Sequence, residues 1–228
     1  MLRIAIVGHG RMGHAVEAAA RARGHEVAAT LDLADPIVPD RLGNADVAIE
    51  FTAPAAAPGN ITRLIEAGVP VVCGTTGWQA ELPRISELVT SRGGAFLYAT
   101  NFSVGVQLFL KTAADLARHL AGHPAYDGFI VEEHHARKLD APSGTALSLR
   151  QAATGADAAR PYPITSVRAG AIPGIHRLAY DGPRSKALPA SRHVLQRDGF
   201  VGAVAAAEWL PGRRGVFTFE GMLFGDER

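Results

Sequence analysis

Cysteine is almost missing from this sequence: one residue, Cys73, among 228. No intramolecular disulfide can form, which excludes a small secreted fold held by staples and points to a reducing compartment. An excess of charge of one sign is also missing. The 23 basic and 22 acidic side chains leave a formal net charge of +1, so nucleic acid or another polyanion has no electrostatic claim as a partner. Long apolar runs are absent too. No stretch approaches the roughly 20 apolar residues that cross a bilayer. The apolar run Leu2–Val7 is broken at once by Gly8-His9-Gly10 and does not read as a secretory leader. The expectation is a cytoplasmic protein with no membrane partner. There is no internal repeat and no low-complexity linker.

Core-forming residues are plentiful. Hydrophobic residues make up 47% of the chain and charged ones 20%, enough for one large domain or two small ones and too apolar for disorder. Residues 2–7 are β-branched and end in glycine, the pattern of a buried parallel strand. Gly8-His9-Gly10-Arg11-Met12-Gly13 follows, then an alanine-rich stretch with helical spacing over Met12–Arg23 closed by Gly24, then a second strand, Glu26–Leu31, ending at Asp32. A bare G-x-G-x-x-G is weak evidence, and an ordinary turn can contain such glycines by accident. Strand, glycine turn, helix, strand and terminal acid in succession is much stronger. The glycines allow a tight turn and close approach of a pyrophosphate to the helix N-terminus, where free N–H groups favour an anion. Dinucleotide binding is therefore expected at Gly8–Gly13. Asp32 suits ribose hydroxyls and repels a 2′-phosphate, and the next residue, Leu33, is no cation. Arg11 lies within reach of a phosphate, so both NADH and NADPH are candidates, with NADH expected to bind at least as well.

The alternation continues. Strands are expected at 45–51, 69–73 and 95–99, and helices at 58–67 and 81–92. Parallel strands alternating with helices collect ligands at the carboxyl edge of the sheet. That edge carries Thr52-Ala53-Pro54, Gly74-Thr75-Thr76-Gly77 and Ala99-Thr100-Asn101-Phe102, small polar turns suited to a nicotinamide pocket or simply to turning the chain. After residue 102 the pattern changes. A long amphipathic helix is expected over 104–121, a strand over 126–132, a helix over 143–153 with Ser143 as N-cap, and a surface loop over 154–163. Short strands at 164–168, 174–181 and 188–193 lack intervening helices, which indicates a mixed or antiparallel sheet. Residues 200–209 return to helix, and 215–224 read as a last strand or loop. The fold class is α/β: a Rossmann-like domain over 1–102, a smaller α+β domain over 103–196, and 197–228 packing back on the first.

The densest chemistry lies at Glu132-Glu133-His134-His135-Ala136-Arg137-Lys138-Leu139-Asp140-Ala141-Pro142-Ser143-Gly144-Thr145-Ala146. A solvated loop could carry such charges. A metal site would need ligands on one face, whereas adjacent strand positions point to opposite faces, and no His-x-x-x-His pair or cysteine accompanies them. Acid–base chemistry fits the spacing better. His134 exchanges protons near neutral pH, Lys138 lies four residues on, and Pro142-Ser143-Gly144-Thr145 opens a helix whose N–H groups suit a carboxylate. Beside a hydride donor, such a site reduces a polar, anionic small molecule.

The run Glu133–Ala146 resembles the signature of the dihydrodipicolinate reductase family, from the diaminopimelate route to lysine. Gly8–Gly13 is similar to the family's nucleotide turn in its shorter form. Glu50-Phe51-Thr52, Gly74-Thr75-Thr76 and Ala99–Gly105 match its nicotinamide-side loops, and Ile172–His176, Gly202-Ala203, Ala206–Leu210 and Gly215–Gly225 its C-terminal blocks. The resemblance implies reduction of 4-hydroxy-tetrahydrodipicolinate by NADH or NADPH, with no metal. It implies His134 as acid–base residue, Lys138 as proton donor, and His135, Gly144 and Thr145 as carboxylate holders. Cofactor contacts would come from Gly8, His9, Gly10, Arg11, Met12, Gly13, Asp32, Gly74, Thr75, Thr76, Ala99, Thr100, Asn101 and Phe102. A homotetramer built through the second domain's sheet is also implied. Two departures stand out: Arg192 where the family has histidine five residues before the arginine matched by Arg197, and Glu220-Gly221-Met222 where it often has aspartate. Other two-domain dehydrogenases, of the aspartate or diaminopimelate type, lack the histidine signature. A non-catalytic NADH-responsive protein would have no use for His134 and Lys138 together.

Overall fold

A computed structural model of the chain describes residues 1–32, 34–182, 185–194 and 199–225. Leu33, Arg197 and part of the turn expected at 181–185 lie outside the described residues, as does the side chain of Arg192. The chain divides into two compact units, Met1–Val104 with Asp198–Arg228, and Gly105–Arg197.

In the first unit β1 (Arg3–Val7), α1 (Arg11–Ala22), β2 (Glu26–Leu31), β3 (Val47–Glu50), α2 (Ala57–Glu66), β4 (Val71–Cys73), α3 (Leu82–Arg92) and β5 (Ala95–Tyr98) alternate. Next come α4 (Val104–Leu120), β6 (Asp127–His134), α5 (Gly144–Ala156), β7 (Ile164–Arg168), β8 (Ile175–Gly182) and β9 (Ser185–Val194) of the second unit. The chain then re-enters the first unit as α6 (Gly199–Trp209), β10 (Gly215–Thr218) and α7 (Phe219–Phe224).

The first unit's sheet is wholly parallel, in the order β10-β5-β4-β3-β1-β2. Both faces are covered, which is why its strands read as continuous apolar runs. Ile4 and Ile6 join Val16 of α1 and Ala203, Ala206 and Ala207 of α6 in one core, while Ala5 and Val7 join Ile61, Leu64 and Ile85 of α2 and α3 in the other. This is the period-two alternation of a strand. Alanines on α6 let its backbone lie close to the sheet, and at Gly202 the approach is tightest: a Cβ there would sit 1.8 Å from the Phe102 carbonyl oxygen. Winding reverses between β1 and β3, so the crevice above their carboxyl ends is the switch point where ligands of open α/β sheets bind.

The second unit's sheet runs β7-β6-β8-β9, with β6 parallel to β7 and antiparallel to β8, and β8 antiparallel to β9. It is a mixed sheet, as the missing crossover helices predict. Phe109, Ala113 and Ala117 of α4 and Leu149 and Ala153 of α5 pack on Ile130, Leu178 and Tyr180.

Most element boundaries shift by one to three residues from the sequence expectation, and three of the differences have a visible cause or consequence. β6 continues past Glu132 to His134, because its alternation persists: Glu132 and His134 turn inward while Glu133 pairs with Ile175 across the ladder. α5 runs three residues past Ala153, taking in the first part of the expected loop. Residues 215–224 divide into a strand and a short helix, since Thr218 Oγ1 accepts from Gly221 N at 3.0 Å and caps a new turn.

Candidate active site and nucleotide turn

In the first unit, Gly8 has φ +92° and a Cβ there would stand 2.0 Å from the Phe51 carbonyl oxygen; at Gly13 it would stand 2.1 Å from that of Gly8. Both positions require glycine, one for its dihedral and both for close backbone packing. Gly10 is the N-cap of α1 and supplies no side-chain cap, leaving the first-turn N–H groups available to an anion. His9 Nε2 lies 2.6 Å from Glu17 Oε2, whose carboxyl is held low by hydrogen bonds from Arg21 and then His9. Arg11 is exposed at the helix start.

Two cavities flank this turn. One of about 570 Å³ is lined by Asp32, Thr52, Asn60 and Arg63 among others. The other, about 200 Å³, is lined by Met12, Phe51, Thr52, Gly74, Thr75 and Thr76. The glycine cradle, the free helix start and the acid at the end of β2 fit a dinucleotide. Of the residues expected to contact it, the structure gathers Gly8–Gly13, Asp32 and Gly74–Thr76 at this edge. Phe102 differs: its ring is buried against Phe51 and Phe219, so it supports the edge from the core side. Asn101 Oδ1 accepts from Ser103 N at 2.8 Å, shaping the turn after β5.

In the second unit, β6 carries the polar array. Glu132 is fully buried and accepts from His134 Nδ1 and, at 2.7 Å, from the Arg168 guanidinium. A carboxylate only accepts, so His134 bears its proton on Nδ1 and leaves Nε2 as the basic nitrogen. Burial works to raise the Glu132 carboxyl, but hydrogen bonds from Arg168, Ser166 and His134 outweigh it and hold it at about 2. Burial pushes the His134 imidazole below the ordinary histidine value against the pull of Glu132. His134 is thus neutral at pH 7.

Arg168 also donates to the Asp140 carbonyl at 2.6 Å, tying the loop after β6 to β7. Within that loop Lys138 Nζ is held between both Asp140 oxygens, at 2.7 and 2.9 Å, and this contact keeps the Asp140 carboxyl low. Ser143 caps α5, its Oγ accepting from Ala146 N at 3.3 Å and lying 2.9 Å from His176 Nε2. Beyond that cap the N–H groups of Gly144 and Thr145 have no acceptor within the helix, and a Cβ at Gly144 would meet nothing within 4 Å. The helix start is open to a ligand. His135 Nδ1 is buried without a hydrogen-bond partner among the described residues.

Arg168 and His176 are the polar members that sequence reasoning did not place in the site; Glu132 and Ser143 lay within the run, without the partners the structure gives them. His176 faces Glu132 across the β6–β8 ladder and packs edge-on to His134, ring centroids 5.1 Å apart. Its signal was register, which a single sequence does not display. The ladder also corrects the argument against a metal: Glu132, His134 and His176 share a face with ligand atoms within 4.8 Å. Those atoms are already engaged, by Arg168, by one another and by Ser143. Replacing the cap, Ser143→Ala, is expected to lower stability by about 1 kcal/mol, checked by urea unfolding.

The chain matches the family models "Dihydrodipicolinate reductase, N-terminus" over residues 2–102 and "Dihydrodipicolinate reductase, C-terminus" over 105–223. It is 36% identical to a 4-hydroxy-tetrahydrodipicolinate reductase of Christiangramia forsetii, over 97% of this chain and 98% of the relative. It is 38% identical to that of Beutenbergia cavernae, over 88% and 78%. A dipicolinate-bound dihydrodipicolinate reductase from Paenisporosarcina sp. TG-14 has the same fold, with TM-score 0.81 and 22% identity over 97% of this chain and 99% of that one. Nucleotide turn, histidine array and both family models together establish that the chain belongs to the dihydrodipicolinate reductase family of oxidoreductases.

Proposed function

We propose that this chain reduces 4-hydroxy-tetrahydrodipicolinate to tetrahydrodipicolinate through His134 and Lys138, in the diaminopimelate route to lysine. The observation that carries this reading is the buried Glu132–His134 pair next to the open start of α5 and the tethered ammonium of Lys138. NADH or NADPH supplies the hydride, and with one proton the substrate becomes tetrahydrodipicolinate and water. The protein's part is placement and charge. Gly144 and Thr145 N–H groups, with His135, hold the carboxylates of the substrate. Glu132 fixes the His134 tautomer so that Nε2 faces the exchanging proton. Lys138 donates to the reduced ring, and Asp140 keeps its ammonium in place until it does.

The test is a coupled assay with freshly made dihydrodipicolinate synthase product, following loss of NADH. Absence of NADH consumption by well-folded protein would overturn the proposal. For the cofactor, Asp32 at the wall of the larger cavity supports kcat/KM with NADH at least equal to that with NADPH. Asp32→Ser should move the ratio towards NADPH. A strong NADPH preference in the wild type contradicts the role given to Asp32. The reading places the enzyme in the cytoplasm as a homotetramer joined through the second unit's sheet, which sedimentation velocity tests. No helix among the described residues is long and apolar enough to cross a membrane.

A further inference from the structure

Glu50, at the carboxyl end of β3, is 0% exposed. Thr52 Oγ1 donates to its Oε1, Asn60 Nδ2 reaches the same oxygen at 3.4 Å, and the Cys73 thiol donates to Oε2 at 3.1 Å. Three donors on two oxygens is the pattern of an ionised carboxylate, which only accepts. Among the described residues no cation is paired with it. A buried carboxylate held only by neutral donors is costly, and nothing in the proton chemistry above uses it.

Its partners are walls of the dinucleotide site. Thr52 lines both cavities, Asn60 lines the larger, and Thr52 N donates to Thr75 Oγ1, a wall of the smaller, at 2.8 Å. Gly74 N donates to the Glu50 carbonyl at 2.9 Å, joining the second loop to the same residue. The Glu50 carboxylate therefore ties together the turn after β3, the first half of α2 and the end of β4, and its main-chain carbonyl holds the turn after β4. The carboxylate also places a negative charge behind Thr52, a wall of both cavities.

We propose that Glu50 is a positioning residue whose charge selects the oxidised dinucleotide. When hydride leaves the reduced nicotinamide with its electron pair, the ring left behind gains one positive charge. A fixed carboxylate behind the pocket stabilises that charge in the transition state and in bound NAD⁺, without reorganising as it forms. Two features support this over a purely structural role: the charge is unneutralised, and its hydrogen-bond partner Thr52 faces both cavities. The proposal rests on the dinucleotide reading, and binding of NADH by the wild type tests that reading separately.

The experiment measures Kd for NAD⁺ and for NADH by calorimetry in the wild type, Glu50→Gln and Glu50→Asp. Glu50→Gln removes the charge at nearly constant shape and should weaken NAD⁺ relative to NADH by about tenfold, the scale of one unit charge acting through a partly buried medium. Glu50→Asp keeps the charge and should hold the wild-type ratio within about threefold, even if both affinities fall. An unchanged ratio in Glu50→Gln overturns the proposal, as does an equal loss in both variants, which would mean shape rather than charge. Should Glu50→Gln fail to fold, the infrared spectrum of the wild type decides: a protonated carboxylic-acid band at pH 7 assigned to a buried glutamate overturns the proposal, and its absence supports it.

Discussion

His134→Gln is expected to lower kcat by about 10²-fold or more, the scale on which general acid–base groups contribute. Lys138→Ala should lose a similar factor. NADH affinity should be spared in both, because these side chains belong to the second unit and the glycine turn to the first. The two variants differ in a way that separates their roles. His134 is neutral at pH 7 because burial holds its value low, so the active form is present above that value and is lost as the pH falls through it. The acid limb of kcat/KM should therefore lie below the ordinary histidine value of about 6.5. Glu132→Gln removes the negative charge that opposes burial and should move that limb further down. Wild-type turnover in both His134→Gln and Lys138→Ala would remove the proposed roles altogether, whereas an acid limb above about 6.5 would remove only the account of the pair.

The other large effect lies in the backbone. Gly13→Ala puts a methyl group 2.1 Å from the Gly8 carbonyl oxygen. The opposing atom is main chain, so relief requires moving α1 off β1. A loss of about 2–3 kcal/mol of stability is expected, the cost of overpacking, with NADH affinity falling at least tenfold because the helix start shifts with it. Thermal unfolding and calorimetry read the two effects separately. Gly10→Ala serves as the contrast: a Cβ there meets nothing within 4 Å, so stability should change by less than about 1 kcal/mol. Equal losses in the two variants would contradict the packing argument.

These two regions also mark what the sequence could and could not disclose. The nucleotide turn was legible because its chemistry is local. Strand, glycines, helix and acid follow one another within about thirty residues, and the crowding that demands glycine at 13 comes from Gly8 in that same turn, although Gly8 itself is crowded by Phe51, just after β3. That His134 and Lys138 lie four residues apart at the end of one strand and in the loop after it was legible for the same reason. Glu132 was seen as a charge but not as the residue that sets the His134 tautomer, since that required β6 to continue two residues further than its apolar pattern suggested. Arg168 and His176 reach the array only through β7 and β8, more than thirty residues on, by ladder register. Glu50 was visible as part of a turn; its lack of a cation partner among the described residues depends on what α2 and β4 place around it. Local chemistry could be read from residue order, and the partners that tune it could not.

The order in which the elements leave the ribosome has a consequence of its own. The first unit's helix α6 and edge strand β10 are made only after the whole second unit, yet α6 supplies Ala203, Ala206 and Ala207, and Leu210 just after it, to the core beneath β1 and β3. Until α6 is made, that face of the parallel sheet has α1 alone to cover it. The later-made second unit has its α4, β6, α5, β7, β8 and β9 contiguous in sequence and can complete its own core first. Folding is thus expected to run out of step with synthesis, the inserted unit closing before the one that encloses it. A released fragment ending at residue 197 should therefore protect the second unit from protease and leave β1–β5 open to cleavage.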